Sequence, residues 1–192
     1  MTDPLSKLFG SPARVKLLRL FLFNARQSFT LPELAARSRV PALEARREVQ
    51  TFASVGLITR SARGKGIRYT LAPDFQYTEA LQHLLLSAPT RGETILTSIR
   101  GLGVVKFVAL SGIFLGDWNG VIDLLVVGDK LKERKLRDRV KRLEAELGRE
   151  LRFSMLPTDN FLYRLNMNDR LVRDVIDYPH RIVLDKLNVG LK

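Results

Sequence analysis

Leu43, Arg46, Arg47 and Gln50 fall at positions i, i+3, i+4 and i+7 of "PALEARREVQTFASVGLI", so a helix would carry all four on one face. Long side chains ending in several N–H donors, presented together on a helix, suit hydrogen bonding to base edges and phosphate oxygens in a major groove. A second basic group, Arg60, Arg63, Lys65 and Arg68, surrounds the turn Arg63-Gly64-Lys65-Gly66 and suits a nucleic-acid backbone or minor groove. The third candidate is a carboxylate: "GDWNGVIDLLVVGD" places Asp123 near the start of an apolar run, 121–127, that reads as a buried strand. An unpaired carboxylate buried there would cost several kcal/mol unless a metal, a cation or hydrogen-bond donors met it.

The bulk properties narrow what these groups can do. The 192 residues, 45% of them apolar, can supply the core of one large domain or two small ones. A formal charge of +12 points to a polyanionic partner, and it is spread along the chain: residues 1–90 hold 13 Lys and Arg against 6 Asp and Glu, and the remainder 19 against 14. The absence of cysteine excludes disulfides, thiolate zinc sites and a cysteine nucleophile. Two isolated histidines, His83 and His180, argue against a histidine-rich metal site, and no metal or cofactor is expected. No window of about 18 uncharged apolar residues occurs, and "MTDPLSKLFG" lacks the basic-then-apolar order of a signal peptide. A cytoplasmic protein without membrane contact is therefore the expectation.

The elements that must hold the basic groups are marked by local signals. Ser11-Pro12 starts a helix ending near Asn24, and Thr30 and Glu33 have capping-box spacing around Pro32, which predicts a second helix over 31–38. A third helix follows Pro41, with Ala45, Val49 and Phe52 inward and Gly56 as its stop; strands over 57–61 and 67–71 then flank the basic turn. Three helices and a hairpin in this order spell a winged helix-turn-helix, and the pieces "TLPELAARSRV", "REVQTFASVGLI" and "RGKGIRYTL" resemble the winged-helix transcriptional regulators of bacteria and archaea. That resemblance implies binding to double-stranded DNA, commonly as a homodimer on a palindromic site, with Arg46, Arg47, Gln50, Arg60, Arg63, Lys65 and Arg68 as the contacting residues.

A connector helix carrying Phe75, Tyr77, Leu81, Leu84 and Leu85 shows more apolar surface than a linker needs and is a candidate dimerisation element. The expected division is residues 1–73, a connector 74–89, and a second domain 90–192, an α/β fold on a small mixed sheet, making the whole chain α+β. In that domain the order is helix 93–102, strand 104–110, an irregular segment 111–120, strand 121–127, helix 130–147, strand 151–156, two short helices and a last apolar piece, "RIVLDKL". The long helix has Leu136, Val140, Leu143 and Leu147 as its stripe, with interleaved charges that read as a solvated face.

"VALSGIFLGDWNGVIDLLVVGD" and the tail "FSMLPTDNFLYRLNMNDRLVRDVIDYPHRIVLD" resemble the minimal nucleotidyltransferase domains, here fused behind a winged helix. In that family two strand carboxylates and a third acid from a neighbouring strand hold two Mg²⁺ ions, while a Gly-Ser turn cradles phosphate. This chain departs at each point: Val121 stands for the first acid, Ser111-Gly112 inverts the turn, and "LRFSML" offers no third acid. The resemblance thus implies a domain without catalytic residues, with Ser111, Gly112 and Asp123 as a residual nucleotide-like pocket. Asp117, Asn119 and backbone amides would support it, Trp118 could stack on a base, and the domain would serve assembly or sensing of a small-molecule or nucleotide effector. The alternative is an active nucleotidyltransferase modifying a protein, RNA or small molecule.

Overall fold

Ser11 accepts a hydrogen bond from the Arg14 N–H (3.2 Å), Pro12 occupies the first turn, and α2 runs Pro12–Leu22 behind a short α1, Pro4–Leu8. The computed structural model describes residues 4–62, 66–86, 92–117 and 120–190. The capping box at Thr30 forms in both directions: the Thr30 hydroxyl accepts from the Glu33 N–H, and the Glu33 carboxylate accepts from the Thr30 N–H at 2.7 Å. Of these two bonds, the one from the Thr30 N–H does most to hold the Glu33 carboxyl below its ordinary value. They open α3, Leu31–Ser38, which ends on Arg39 in the left-handed conformation; α4 follows over Ala42–Ser54. Strands β2, Ile58–Ser61, and β3, Arg68–Leu71, pair antiparallel, and β1, Ser28–Phe29, adds to β3 to give the order β1-β3-β2. Helix α5, Thr78–Leu86, is tied to α2 by the Gln82 amide, which donates to the Leu22 carbonyl at 2.7 Å.

Leu17, Phe21, Leu34, Ala45, Val49 and Phe52 lie in the core of this part, with Phe21 meeting the rings of Phe29 and Phe52 edge-on. Leu34 is fully buried, and Leu31 and Ala35 are half-buried at the margin of this core.

The chain divides into two compact units, Met1–Ala88 with Lys141–Glu150, and Pro89–Val140 with Leu151–Lys192. The end of α7, Glu133–Leu147, thus groups with the first unit rather than with the residues around it in sequence. Its last carbonyls, left without partners inside the helix, are met by donors from α2 and the turn that follows it. Arg19 Nη1 donates to the Glu146 carbonyl (3.1 Å), Asn24 Nδ2 to the Gly148 carbonyl (2.7 Å), and Lys16 pairs with the Glu146 carboxylate (2.7 Å). Gly148 is required for this approach, because its φ is +73° and a Cβ would stand 2.5 Å from the carbonyl carbon of Arg19.

In the second unit, α6, Gly92–Ile99, leads into β4, Val104–Ser111, and a 3-10 turn, Gly112–Leu115. Then come β5, Leu124–Asp129; β6, Phe153–Leu156; α8, Thr158–Asn166; α9, Arg170–Ile176; and β7, His180–Asp185. The sheet is mixed, in the order β6-β5-β4-β7, with β5 and β6 parallel and the other pairs antiparallel. Phe107, Ala109, Leu125 and Val127 bury one face against α8 and α9, where Phe107 stacks on Phe161 at 5.0 Å; Val108, Leu110, Leu124 and Val126 are fully buried on the other.

One expectation is corrected. The strand predicted over 121–127 begins at Leu124, and Val121 is 54% exposed. The reason lies in pairing: β4 ends at Ser111 and bends away at Gly112, so the β4–β5 register stops at Leu110↔Leu124, and beyond it the Ser111 N–H still donates to the Asp123 carbonyl. Among the described residues no helix is long and apolar enough to cross a membrane, and the chain is α+β.

Candidate functional site

Helix α4 has two faces. Ala45, Glu48, Val49 and Phe52 point inward, and the one acid among them is held by Arg14, whose Nε donates to Glu48 Oε2 at 2.8 Å and whose Nη1 reaches the Phe9 carbonyl. This ion pair, which the sequence pattern did not reveal, anchors α4 to α2. Leu43, Arg46, Arg47 and Gln50 are exposed on the outward face, and the side chains of Arg46, Arg47 and Gln50 have no hydrogen bond or ion pair among the described residues. Three long donor side chains thus stand without internal partners among the described residues, on a helix fixed by its opposite face.

Of the hairpin residues, Arg60 is exposed and unpaired among the described residues. Arg68 is committed within the fold: its Nε donates to Ser28 Oγ at 2.8 Å, and its Nη2 reaches the Ser28 carbonyl and Glu33 (3.2 Å). It fastens β3 to β1 and to the start of α3, so it is less available to an outside partner than the alternation of the strand implies. Arg63 and Lys65 lie outside the described residues, as do Trp118 and Asn119.

Asp123 is 1% exposed, yet each of its oxygens has two donors. Oδ1 accepts from the Ile113 N–H (3.0 Å) and Arg152 Nη2 (2.9 Å); Oδ2 accepts from the Arg152 N–H (2.8 Å) and Arg152 Nε (3.1 Å). The Asp123 carboxylate in return raises the Arg152 pKa, first through the hydrogen bonds and then by charge, with burial opposing. Ser111 donates its hydroxyl to the Ile122 carbonyl, and its N–H to the Asp123 carbonyl at 3.0 Å. Gly112 has φ +53°, and a Cβ on it would lie 2.2 Å from Asp123 Oδ1. Ser111, Gly112 and Asp123 therefore do come together, and the carboxylate itself fills the turn, taking an amide that could otherwise face a ligand. His180 lies opposite Ser111 in the β4–β7 ladder, with its Nδ1 2.9 Å from the Tyr178 carbonyl and its buried Nε2 without a hydrogen-bond partner among the described residues.

Arg152 was not among the residues singled out by pattern, although a signal existed. Asp123 and Arg152 each stand immediately before a strand, and parallel pairing in the register Leu124↔Phe153 brings the two together. Beside them an open depression of about 520 Å³ is lined by Val121, Ile122, Arg152, Phe153, Arg164 and Leu171, among others. Its cations are compensated locally, Arg152 by Asp123, Arg164 by Asp169 (3.0 Å) and Arg170 by Asp174 (3.8 Å). The outward face of α4 and this compensated pocket thus differ in kind: one presents unspent donors, the other has used them. No family model, curated protein or solved structure gave a significant match to the chain.

Proposed function

We propose that the chain is a DNA-binding transcriptional regulator, its first unit a winged helix in which α4 is the recognition helix and the β2–β3 hairpin the wing. The observation that carries this reading is the outward face of α4, where Arg46, Arg47 and Gln50 are exposed and free of internal partners among the described residues. Donors in this state are suited to base edges and phosphates, and the chain's +12 charge favours encounter with duplex DNA. Arg60, Arg63 and Lys65 would add contacts to phosphate, with Arg68 holding the wing rather than reading DNA. A homodimer through α5 and the residue before it belongs to the same reading, since Leu84 and Tyr77 are exposed.

Arg46→Ala or Arg47→Ala should weaken binding to a selected duplex by about 1–3 kcal/mol where the side chain makes a bidentate base contact, and by less where it meets only phosphate. Fluorescence anisotropy at fixed salt measures this, and unchanged affinity in both variants would remove α4 from the interface.

The second unit is proposed as a nucleotidyltransferase-like domain retained for assembly or ligand sensing, without transfer activity. A pair of Mg²⁺ ions does not fit the residues present: both Asp123 oxygens are held by Arg152 and backbone amides, and exposed Val121 stands where a second acid would be needed. Incubation with labelled nucleotides, Mg²⁺ or Mn²⁺ and candidate acceptors should give no incorporation. Metal-dependent transfer that Asp123→Ala abolishes would replace this reading with an active enzyme.

A further inference from the structure

The end of α7 brings to the first unit cations from Lys141 onward, well downstream in sequence of α5, Thr78–Leu86. A cleft of about 270 Å³, all of whose lining residues belong to that unit, is bordered by Arg37, Arg39, Lys141 and Arg149, with Glu144 and Glu150 as its acids. Arg37 is partly occupied: it pairs with Glu150 (3.3 Å), donates to Gln27 (3.1 Å) and lies over the Phe29 ring. The side chains of Arg39 and Lys141 are exposed and make no hydrogen bond or ion pair among the described residues. Arg39 is the left-handed cap of α3, two residues before Pro41, which caps α4. The cleft therefore adjoins the turn that enters α4, the helix whose outward donors face solvent.

We propose that this cleft is a DNA-backbone site, in which Arg39 and Lys141 hold phosphates flanking the bases read by α4; the inference rests on the DNA-binding reading above. Arg39 and Lys141, which have no ion partner among the described residues, give the cleft positive charge near the turn that enters α4, which matches a phosphodiester. A guanidinium fork and an ammonium are the groups that bind its oxygens. The segment Lys141–Glu150 then has a role in the first unit beyond packing: it widens the footprint of the reading module along the duplex. Such contacts position the protein and carry no sequence information.

The test uses the full chain, a duplex selected by the protein, and a scrambled duplex, with affinity measured across a salt series. Arg39→Asn keeps a residue tolerant of the left-handed conformation, and Lys141→Gln keeps length without charge. The double variant should show a slope of log affinity against log salt shallower by about two, on both duplexes alike, with the preference between them unchanged. Lys7→Gln, which removes an equal charge from α1, should move the slope less than Lys141→Gln does; melting temperatures report that the fold is intact. An unaltered slope in the double variant, or an equal shift from Lys7→Gln, overturns the backbone site while leaving the regulator reading in place. Failure of the wild-type chain to bind either duplex overturns both.

Discussion

Arg152→Met is expected to destabilise the second unit by about 3 kcal/mol, the lower end of the range for breaking a buried ion pair, because Arg152 is itself 41% exposed and water can reach the vacated space. The cost arises at Asp123: its 1% exposed carboxylate keeps the Ile113 and Arg152 N–H groups but loses the guanidinium, the only cation among the described residues paired with it. Methionine preserves the packing of the arginine stem, so the loss isolates charge from volume. Removing the acid as well should recover part of the cost, and the double variant Asp123→Ala/Arg152→Met should lie at least about 1 kcal/mol above the sum of the two singles in stability. Denaturant unfolding, with hydrogen exchange at β5 and β6 to separate the two units, measures both quantities. A cost under about 1 kcal/mol for Arg152→Met, typical of a surface pair, would show that Asp123 does not depend on it.

Gly112→Ala should cost a similar amount, about 3 kcal/mol, from two sources. A left-handed φ of +53° is unfavourable for alanine by about 1 kcal/mol, and the new Cβ would stand 2.2 Å from Asp123 Oδ1. The tip of a side chain can usually move aside, but this one is held by four hydrogen bonds, so moving it forfeits donors in a buried site. In an Asp123→Ala background the steric part vanishes and Gly112→Ala should cost only the backbone term. Equal costs in the two backgrounds would contradict the placement of the carboxylate in the turn.

Sequence pattern found the elements whose signals are local. The Ser11 cap, the Thr30–Glu33 box and the Gly56 stop each act within a few residues, and α2, α3 and α4 lie where those signals place them. The outward face of α4 was legible for the same reason, since helical spacing alone puts Leu43, Arg46, Arg47 and Gln50 together. What depends on partners distant in sequence was not legible. Two-residue β1 has no periodicity and exists only through pairing with β3. The apolar run 121–127 shows where a strand can be, but its start at Leu124 is set by where β4 turns away. Likewise Arg68 and Arg152 look like free surface cations until strand pairing brings Ser28 and Asp123 beside them. The docking of Gly148 against Arg19 carries no local signal other than the glycine.

The most direct test of α4 as a DNA-reading helix is selection of bound fragments from a pool of randomised duplexes by the full chain, in parallel with an Arg46→Ala/Arg47→Ala variant of unchanged melting temperature. The wild-type chain should enrich one short motif, repeated with two-fold symmetry if a homodimer binds, and the variant should lose that enrichment while keeping weak, salt-sensitive binding to all sequences. Enrichment of no motif by the wild-type chain, or of the same motif by the variant, would contradict it.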